Sequence, residues 1–367
     1  MIMRSKNIKI LIATGGTGGH VMPANGLAKH LIENNFLVDI TVDNRGLKYL
    51  KKSRNYNVKI ISSSTIFQRN FFTLILSFLR ILKAIIISII YLLHSRPNMI
   101  FGMGGYSSFP VCIAAKIIGI PFIIYENNLI LGKTNKYLLP FAKKIIISYG
   151  NIEGIKSQYK SKIVVTGNII RKEILELKKK NFSRINQKLS LLILGGSQAA
   201  KVFAEKLPKI IIKCTKEKLG LKIYQQCLDG QKKSLSAIYR KNKIDFKLFS
   251  FTKNITNYLY KSNLVITRSG ASMSAELINC KIPFISIPLP TSADNHQLKN
   301  ALYYKKKGFS FLIEESQIDK NLFQLIKSIC KDKSLLKKTI KKQNQYSDVF
   351  VYKKIDKVIK SLIYEKY

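Results

Sequence analysis

The sequence predicts an α/β protein made of two doubly wound parallel-sheet domains in tandem, and three observations carry that expectation. Asn7–Ala13 (NIKILIA) is a short apolar run ending in Gly15-Gly16-Thr17-Gly18-Gly19-His20, and the stretch after it sets Ala24, Leu27, Ala28 and Leu31 on one helical face. Leu189–Leu194 (LSLLIL) repeats the arrangement 180 residues on, running into Gly195-Gly196-Ser197-Gln198-Ala199-Ala200 and another helix. Around these points continuous apolar runs alternate with helical spacing, which is how strands of a parallel sheet covered on both faces read.

Taken in order, the further strand candidates are Asn98–Phe101, Pro121–Tyr125, Lys144–Ile147, Lys162–Val165, Leu264–Thr267 and Pro283–Ile287. Beyond Asp319 the chain reads as helices only. The lysine-rich stretch around Glu173–Gln187 is the natural linker. The expected division is 1–168, a linker at 169–187, 188–345, and a last helix in 346–367 that packs back on the first domain. Phe71–Leu93 (FFTLILSFLRILKAIIISIIYLL) is long enough to span a bilayer. Arg80 and Lys83 near its centre would each cost about 2.5–3.5 kcal/mol there, and a spanning helix would divide the first sheet. The expectation is a helix that packs on the sheet and leaves an apolar face for a membrane surface.

Composition excludes some classes of function. With 46% hydrophobic and 23% charged residues, the chain is a folded protein and not a disordered one. Its 63 basic against 20 acidic residues give a net charge of +43, which favours anionic partners. The basic residues are spread along the whole chain with no nucleic-acid-binding signature, so an anionic membrane surface or a phosphorylated substrate is expected and nucleic acid is not. Cys112, Cys214, Cys227, Cys280 and Cys330 form no C-x-x-C pair and read as small hydrophobes of a reducing cytoplasm. No signal-peptide h-region opens the chain.

Glycine turns between strand and helix are phosphate sites in prospect, because backbone can approach an anion there and the helix N-terminus presents N–H groups. The first loop lacks the G-K-[ST] of an ATP-binding P-loop, and Val21 stands where G-x-G-x-x-G needs its third glycine. Asp39 or Asp43 could still serve a dinucleotide's ribose, which leaves such an enzyme as a rival. Gly102-Met103-Gly104-Gly105-Tyr106 is a further loop of the same kind. Arg268-Ser269-Gly270-Ala271-Ser272-Met273-Ser274-Ala275-Glu276 opens a helix with small residues suited to a diphosphate. Ser272 and Glu276 share a face, so a carboxylate one turn in can take both ribose hydroxyls. Asp294-Asn295-His296-Gln297 ends another strand, where ligands bind in open sheets.

GGTGGH at Gly15–His20, GMGGYSS-P at Gly102–Pro110, E-x-N at Glu126–Asn128, GN-x-x-R at Gly167–Arg171, GGSQ at Gly195–Gln198, RSGA-x-x-x-x-E at Arg268–Glu276 and HQ-x-x-NA at His296–Ala301 occur together and in order. In this the chain closely resembles the undecaprenyldiphospho-muramoylpentapeptide N-acetylglucosaminyltransferases of peptidoglycan synthesis, over nearly its whole length. The resemblance implies a GT-B fold of two Rossmann-like domains, an acceptor- and membrane-binding one followed by a UDP-sugar-binding one. It implies inverting transfer from UDP-N-acetylglucosamine to a lipid-linked acceptor at the cytoplasmic face of the inner membrane, in the company of other cell-wall enzymes. Thr17, Gly18, Gly19, Asn128, Arg171, Ser197, Thr252, Ala271, Ser272, Met273, Ser274, Ala275, Glu276 and Gln297 fall on the donor side. Gly104, Gly105 and Tyr106 fall on the acceptor side. His20 is the candidate base, and Glu126 is the second catalytic candidate. No D-x-D motif is evident, so no obligatory cofactor or protein-held metal is expected, a divalent cation at most assisting.

The sequence departs from the family pattern in places. Ala199 replaces a usual glycine, at a cost of about 1 kcal/mol if that position needs positive φ. Tyr125 and Asn127 stand for a common His and Gln, and Ile169 for a Pro. Two rivals are weighed against the transferase. A UDP-N-acetylglucosamine 2-epimerase shares the architecture but acts without an acceptor. A non-enzymatic membrane- or RNA-binding protein is supported by charge alone.

Overall fold

The computed structural model describes residues 8–50, 55–64, 71–177, 188–250, 252 and 254–364. The chain forms two compact units, 1–171 with 348–367, and 172–347. The first unit runs β1 (Lys9–Ala13), α1 (Gly18–Glu33), β2 (Leu37–Val42), α2 (Asn44–Leu47), β3 (Tyr56–Ile60), α3 (Phe71–Ser95), β4 (Met99–Gly102), α4 (Ser108–Ile117), β5 (Phe122–Glu126), α5 (Lys133–Leu138), β6 (Lys144–Ile147) and β7 (Ile163–Val165). The second runs α6 (Lys172–Leu175), β8 (Leu189–Leu194), α7 (Gly196–Lys216), β9 (Leu221–Gln226), α8 (Lys232–Lys241), β10 (Asp245–Phe249), α9 (Ile255–Lys261), β11 (Leu264–Thr267), α10 (Ala271–Asn279), β12 (Phe284–Ser286), α11 (His296–Lys306), β13 (Phe311–Leu312), α12 (Phe323–Lys331) and α13 (Ser334–Gln343). α14 (Val351–Tyr364) then belongs to the first unit. The linker expected at 169–187 lies in part, from 178 on, outside the described residues.

Among the described residues each unit holds one sheet, in the orders β3-β2-β1-β4-β5-β6-β7 and β10-β9-β8-β11-β12-β13. Every pairing is parallel. This is the doubly wound arrangement that the apolar runs predict. The strand positions agree to within a residue or two because those runs are buried on both faces, as Ile10, Leu11, Ile12 and Ala13 are in β1. In the first unit Ala84, Leu92, Val111, Ala115 and Leu138, from α3, α4 and α5, share one core with the sheet. In the second, Phe203, Leu207, Ile211, Ile326 and Leu336 do the same from α7, α12 and α13.

α14 docks on α1. His30 Nε2–H donates to Asp356 Oδ1 at 2.8 Å, the His30 ring stacks on Tyr352 at 4.4 Å, and the Tyr352 hydroxyl donates to Ile170 O at 2.7 Å. His30 is therefore a structural residue, as its helical setting suggests.

α3 inverts the pattern of an ordinary surface helix. Ser77, Ile81, Ala84, Ser88 and Leu92 form the buried stripe, so small residues let the helix lie close to the fold. The large side chains point out: Phe72 is 75% exposed, Phe78 65% and Ile90 64%. The helix is long and apolar enough to cross a membrane by length and composition. Its ends nevertheless lead to β3 and β4 of a single sheet, so spanning would break the unit.

Candidate active site

Each sheet has one place where the order of strands reverses, and ligands of open α/β sheets bind beyond the strand C-termini there. In the first unit that place lies between β1 and β4, and in the second between β8 and β11. All four of these strands end in a glycine-containing loop: Gly15–Gly19, Gly104–Gly105, Gly195–Gly196 and Gly270. Within each unit, topology thus sets side by side two turns that are separate in sequence.

In the first unit the two loops touch. His20 Nδ1–H donates to Met103 O at 2.9 Å, which leaves the lone pair of the neutral ring on Nε2. Gly104 and Gly105 both have positive φ, at 81° and 78°. A Cβ on Gly104 would stand 3.2 Å from His20 Cε1. Both glycines are thus fixed by backbone shape, and Gly104 also by the room His20 needs. Asn127 Nδ2 donates to Gly19 O at 3.4 Å and draws the third motif to the same rim. Thr17, Gly18 and Gly19 lie at the start of α1, and Tyr106 follows the second loop, half-buried.

Glu126, the second catalytic candidate, is occupied by the protein's own donors. It is buried, and its carboxylate accepts from Asn128 N at 3.1 Å, Asn128 Nδ2 at 2.9 Å, Gly132 N at 2.9 Å and Asn135 Nδ2 at 3.0 Å. Four donors use the acceptor sites of an ionised carboxylate, so Glu126 shapes the 127–135 loop and orients Asn128. The glycine-asparagine motif has a similar structural half. Asn168 N donates to Asp348 Oδ1 at 3.0 Å, and Ile169 N donates to the Tyr125 hydroxyl at 2.9 Å. That hydroxyl also pairs with Ser148 Oγ at 3.2 Å, and burial pushes it well above the usual tyrosine range. The two departures from the family pattern are therefore one feature: Ile169 keeps an N–H that a proline would lack, and Tyr125 supplies its acceptor. Tyr125→Phe orphans that buried donor and lowers stability by about 1–3 kcal/mol. Chemical denaturation measures this, and adding Ile169→Pro should recover part of the loss. An additive double variant would deny the coupling.

In the second unit α10 starts at Ala271 with Gly270 as its cap residue and no side-chain cap, so its first-turn N–H groups face the switch point. Ser269 and Ser274 are fully buried there, and their hydroxyls have no hydrogen-bond partner. Together with the uncapped N–H groups, these hydroxyls make the α10 start a candidate polar site. The sequence reading placed Ser269 in this motif without a role of its own, and its burial singles it out. Ala271, Ala275 and Glu276 are buried, whereas Ser272 and Met273 are half-buried.

Arg268 does not point at this site. It donates to Ile287 O at 3.2 Å and Pro288 O at 3.1 Å, pairs with Glu315, and stacks on Phe203 at 5.0 Å. Gln297 Oε1 accepts from Leu289 N at 3.0 Å, and Asn300 Nδ2 donates to Ser269 O at 3.2 Å. The histidine-glutamine motif thus braces the turns beside α10. Asp294 and Asn295, before α11, both have left-handed φ, 52° and 53°, strain of the kind that collects at binding sites. Thr252 precedes α9, and its Oγ1 accepts from Asn254 N at 3.1 Å.

Ser197 lies in the first turn of α7, and its side chain is outside the described residues. Ala199 is the fourth residue of that helix, and the positive φ of this loop falls on Gly196, at 62°. An alanine inside a helix is favoured over glycine by about 1 kcal/mol, so no penalty attaches to it. Among the described residues no group of three or more His, Cys, Asp or Glu is arranged to hold a metal ion.

Two parallel-sheet units, each with glycine loops and an anion-ready helix start at its switch point, define a nucleotide-sugar enzyme of the GT-B class. The glycosyltransferase family 28 N-terminal domain matches residues 10–147 and the C-terminal domain of that family matches residues 190–356, so the chain belongs to glycosyltransferase family 28. The UDP-N-acetylglucosamine–N-acetylmuramyl-(pentapeptide) pyrophosphoryl-undecaprenol N-acetylglucosamine transferase of Pelagibacter ubique is 38% identical, over 94% of this chain and 96% of its own. The same transferase from Rickettsia canadensis is 38% identical, over 84% and 87%. Among solved structures, MurG of Acinetobacter baumannii superposes with a TM-score of 0.74 at 25% identity, over 96% of this chain and 99% of that one. A UDP-N-acetylglucosamine 2-epimerase shares the fold at a TM-score of 0.65 and 15% identity, over 98% of this chain and 97% of that one.

Proposed function

We propose that this chain transfers N-acetylglucosamine from UDP-N-acetylglucosamine to the 4-hydroxyl of the muramoyl-pentapeptide carried on undecaprenyl diphosphate, with inversion. The observation that carries the reading is that four of the seven ordered motifs follow the strands that flank the two switch points, together with 38% identity over 94% of the chain to a transferase of that name. The second unit is the donor domain. Ser197 and the α10 start at Ala271–Ala275 take the diphosphate, Glu276 the ribose, Thr252 the uracil and Gln297 the sugar; Asn128, Arg171 and Thr17–Gly19 are the donor-side residues of the first unit. Gly104, Gly105 and Tyr106 receive the acceptor's diphosphate.

The acceptor oxygen attacks the anomeric carbon, the bond from that carbon to the UDP oxygen breaks, and the electron pair leaves with UDP. His20 Nε2 takes the hydroxyl proton, while Nδ1–H, bound to Met103 O, fixes the tautomer. Helix-start N–H groups stabilise the leaving diphosphate, so the protein's own residues suffice without an obligatory cofactor or metal; a divalent cation at most assists. Glu126 acts by positioning Asn128.

The first unit is the acceptor and membrane domain, and the enzyme works peripherally at the cytoplasmic side of the inner membrane, beside other cell-wall enzymes. The outward face of α3 enters the lipid boundary, with exposed Arg80 and Lys83 reaching head groups and the +43 charge drawing the protein to anionic lipid. Replacing Phe72, Phe78, Ile86 and Ile90 by serine should weaken binding to anionic vesicles about tenfold or more, with activity on a soluble acceptor kept. Undiminished vesicle binding would move the contact elsewhere. The chemistry is tested by UDP release, which should require the lipid-linked acceptor. Consumption of UDP-N-acetylglucosamine without acceptor, with formation of its 2-epimer, would favour the epimerase.

A further inference from the structure

We propose that Asp43, which the chemistry above does not use, is the positioning residue of the first glycine loop, and the proposal deepens the transferase reading on which it rests. Asp43 directly follows β2 and is buried, 5% exposed. Its Oδ1 accepts from Gly16 N at 2.7 Å and from Gly46 N at 2.9 Å, and its Oδ2 accepts from Arg45 Nε at 3.0 Å. One carboxylate oxygen thus caps α2 and pins the turn between β1 and α1. Ser107 braces the same turn from the other side, its Oγ donating to Thr14 O at 3.0 Å. Gly15 is wedged between them: a Cβ there would collide with the Ser107 hydroxyl and stand 2.8 Å from Asp43 Oδ1. Gly16, at φ 78°, then turns the chain into α1.

Two consequences follow for the site. Gly16 N–H is committed to Asp43, so the amides this loop offers a ligand begin at Thr17. A negative group beside an anion site would oppose phosphate, and Arg45 offsets that charge. The shape of the loop is therefore fixed before any ligand arrives, and His20 Nε2 inherits its place from that shape. Asp39, the acid within β2 itself, has no such reach. It accepts from Ser95 Oγ at 2.7 Å and Tyr91 Oη at 3.3 Å on the side of α3. Neither carboxylate is set to serve a dinucleotide's ribose.

The test pairs kinetics with amide exchange. Asp43→Ala should lower kcat/KM for transfer on the order of 10²-fold, the effect of a displaced catalytic loop. Asp43→Asn keeps a side-chain oxygen as acceptor and should recover to within about fivefold of the parent. Asp39→Asn serves as the stability control, and should destabilise the unit while holding kcat/KM within about twofold. Asp43→Ser, able to cap α2 but too short to hold Gly16 as well, carries the test if the alanine variant does not fold, and should show the same loss. Independently of activity, Gly16 and Gly46 amides should exchange at least about tenfold faster in Asp43→Ala while β1 amides stay protected. Loss of transfer by the parent protein would count against the transferase reading alone, because the exchange experiment stands without it. Parent-like kcat/KM and exchange in Asp43→Ala, or an Asp43→Asn variant as impaired as Asp43→Ala in both, would overturn the assignment.

Discussion

Replacing His20 with alanine lowers kcat by about 10²–10⁴-fold and leaves the donor KM nearly unchanged, the effect of removing a general base that works only in the transition state. The geometry allows a sharper version. His20 is held by its Nδ1–H bond to Met103 O, and an asparagine can place its amide near that position without offering a basic nitrogen. His20→Asn should therefore keep the two loops together and still fail in turnover. Steady-state kinetics with both substrates saturating measures it. A His20→Asn enzyme with parent-like kcat would make His20 a loop clasp and send the search for the base elsewhere.

Glu276→Ala raises the donor KM and lowers kcat/KM by about 10²–10³-fold. Two charge-assisted hydrogen bonds to ribose hydroxyls together are worth about 3–4 kcal/mol, and each 1.4 kcal/mol is tenfold. The residue is buried one turn inside α10, so water replaces it poorly. The donor lacking the ribose 2′-hydroxyl separates recognition from packing. The parent enzyme should prefer the complete ribose, and Glu276→Ala should lose most of that preference. A variant that keeps the full preference would place the ribose on other residues.

How far the sequence reaches is set by the range of each interaction. The strands were legible because burial on both faces writes continuous apolar runs into the chain, and Lys144–Ile147 and Leu264–Thr267 fall on the same residues in the structure. The glycine loops were legible because positive φ and close approach leave little choice of residue. α3 was legible as a helix lying on the fold because Phe71–Leu93 is a long apolar run broken near its centre by Arg80 and Lys83 and set between strands of the first sheet. What stayed hidden is what distant residues do to one another. Asp348 meets Asn168 across 180 positions, Arg268 meets Glu315 across 47, and Tyr125 meets Ile169 across 44. No local pattern announces such pairs. The same blindness hides the role of Glu126: its neighbours in sequence give no hint that Gly132 and Asn135 turn back to occupy its oxygens. Ala199 looked like a penalty for the opposite reason, since the loop's glycine requirement sits three residues earlier, at Gly196.

The most direct measurement is the transfer of labelled N-acetylglucosamine from its UDP donor to an undecaprenyl-type muramoyl-pentapeptide diphosphate, with the product identified by mass. A disaccharide joined to the acceptor 4-hydroxyl, formed with β stereochemistry and one UDP released per sugar moved, is the predicted result. Folded protein that binds UDP yet moves no label to the acceptor would contradict it.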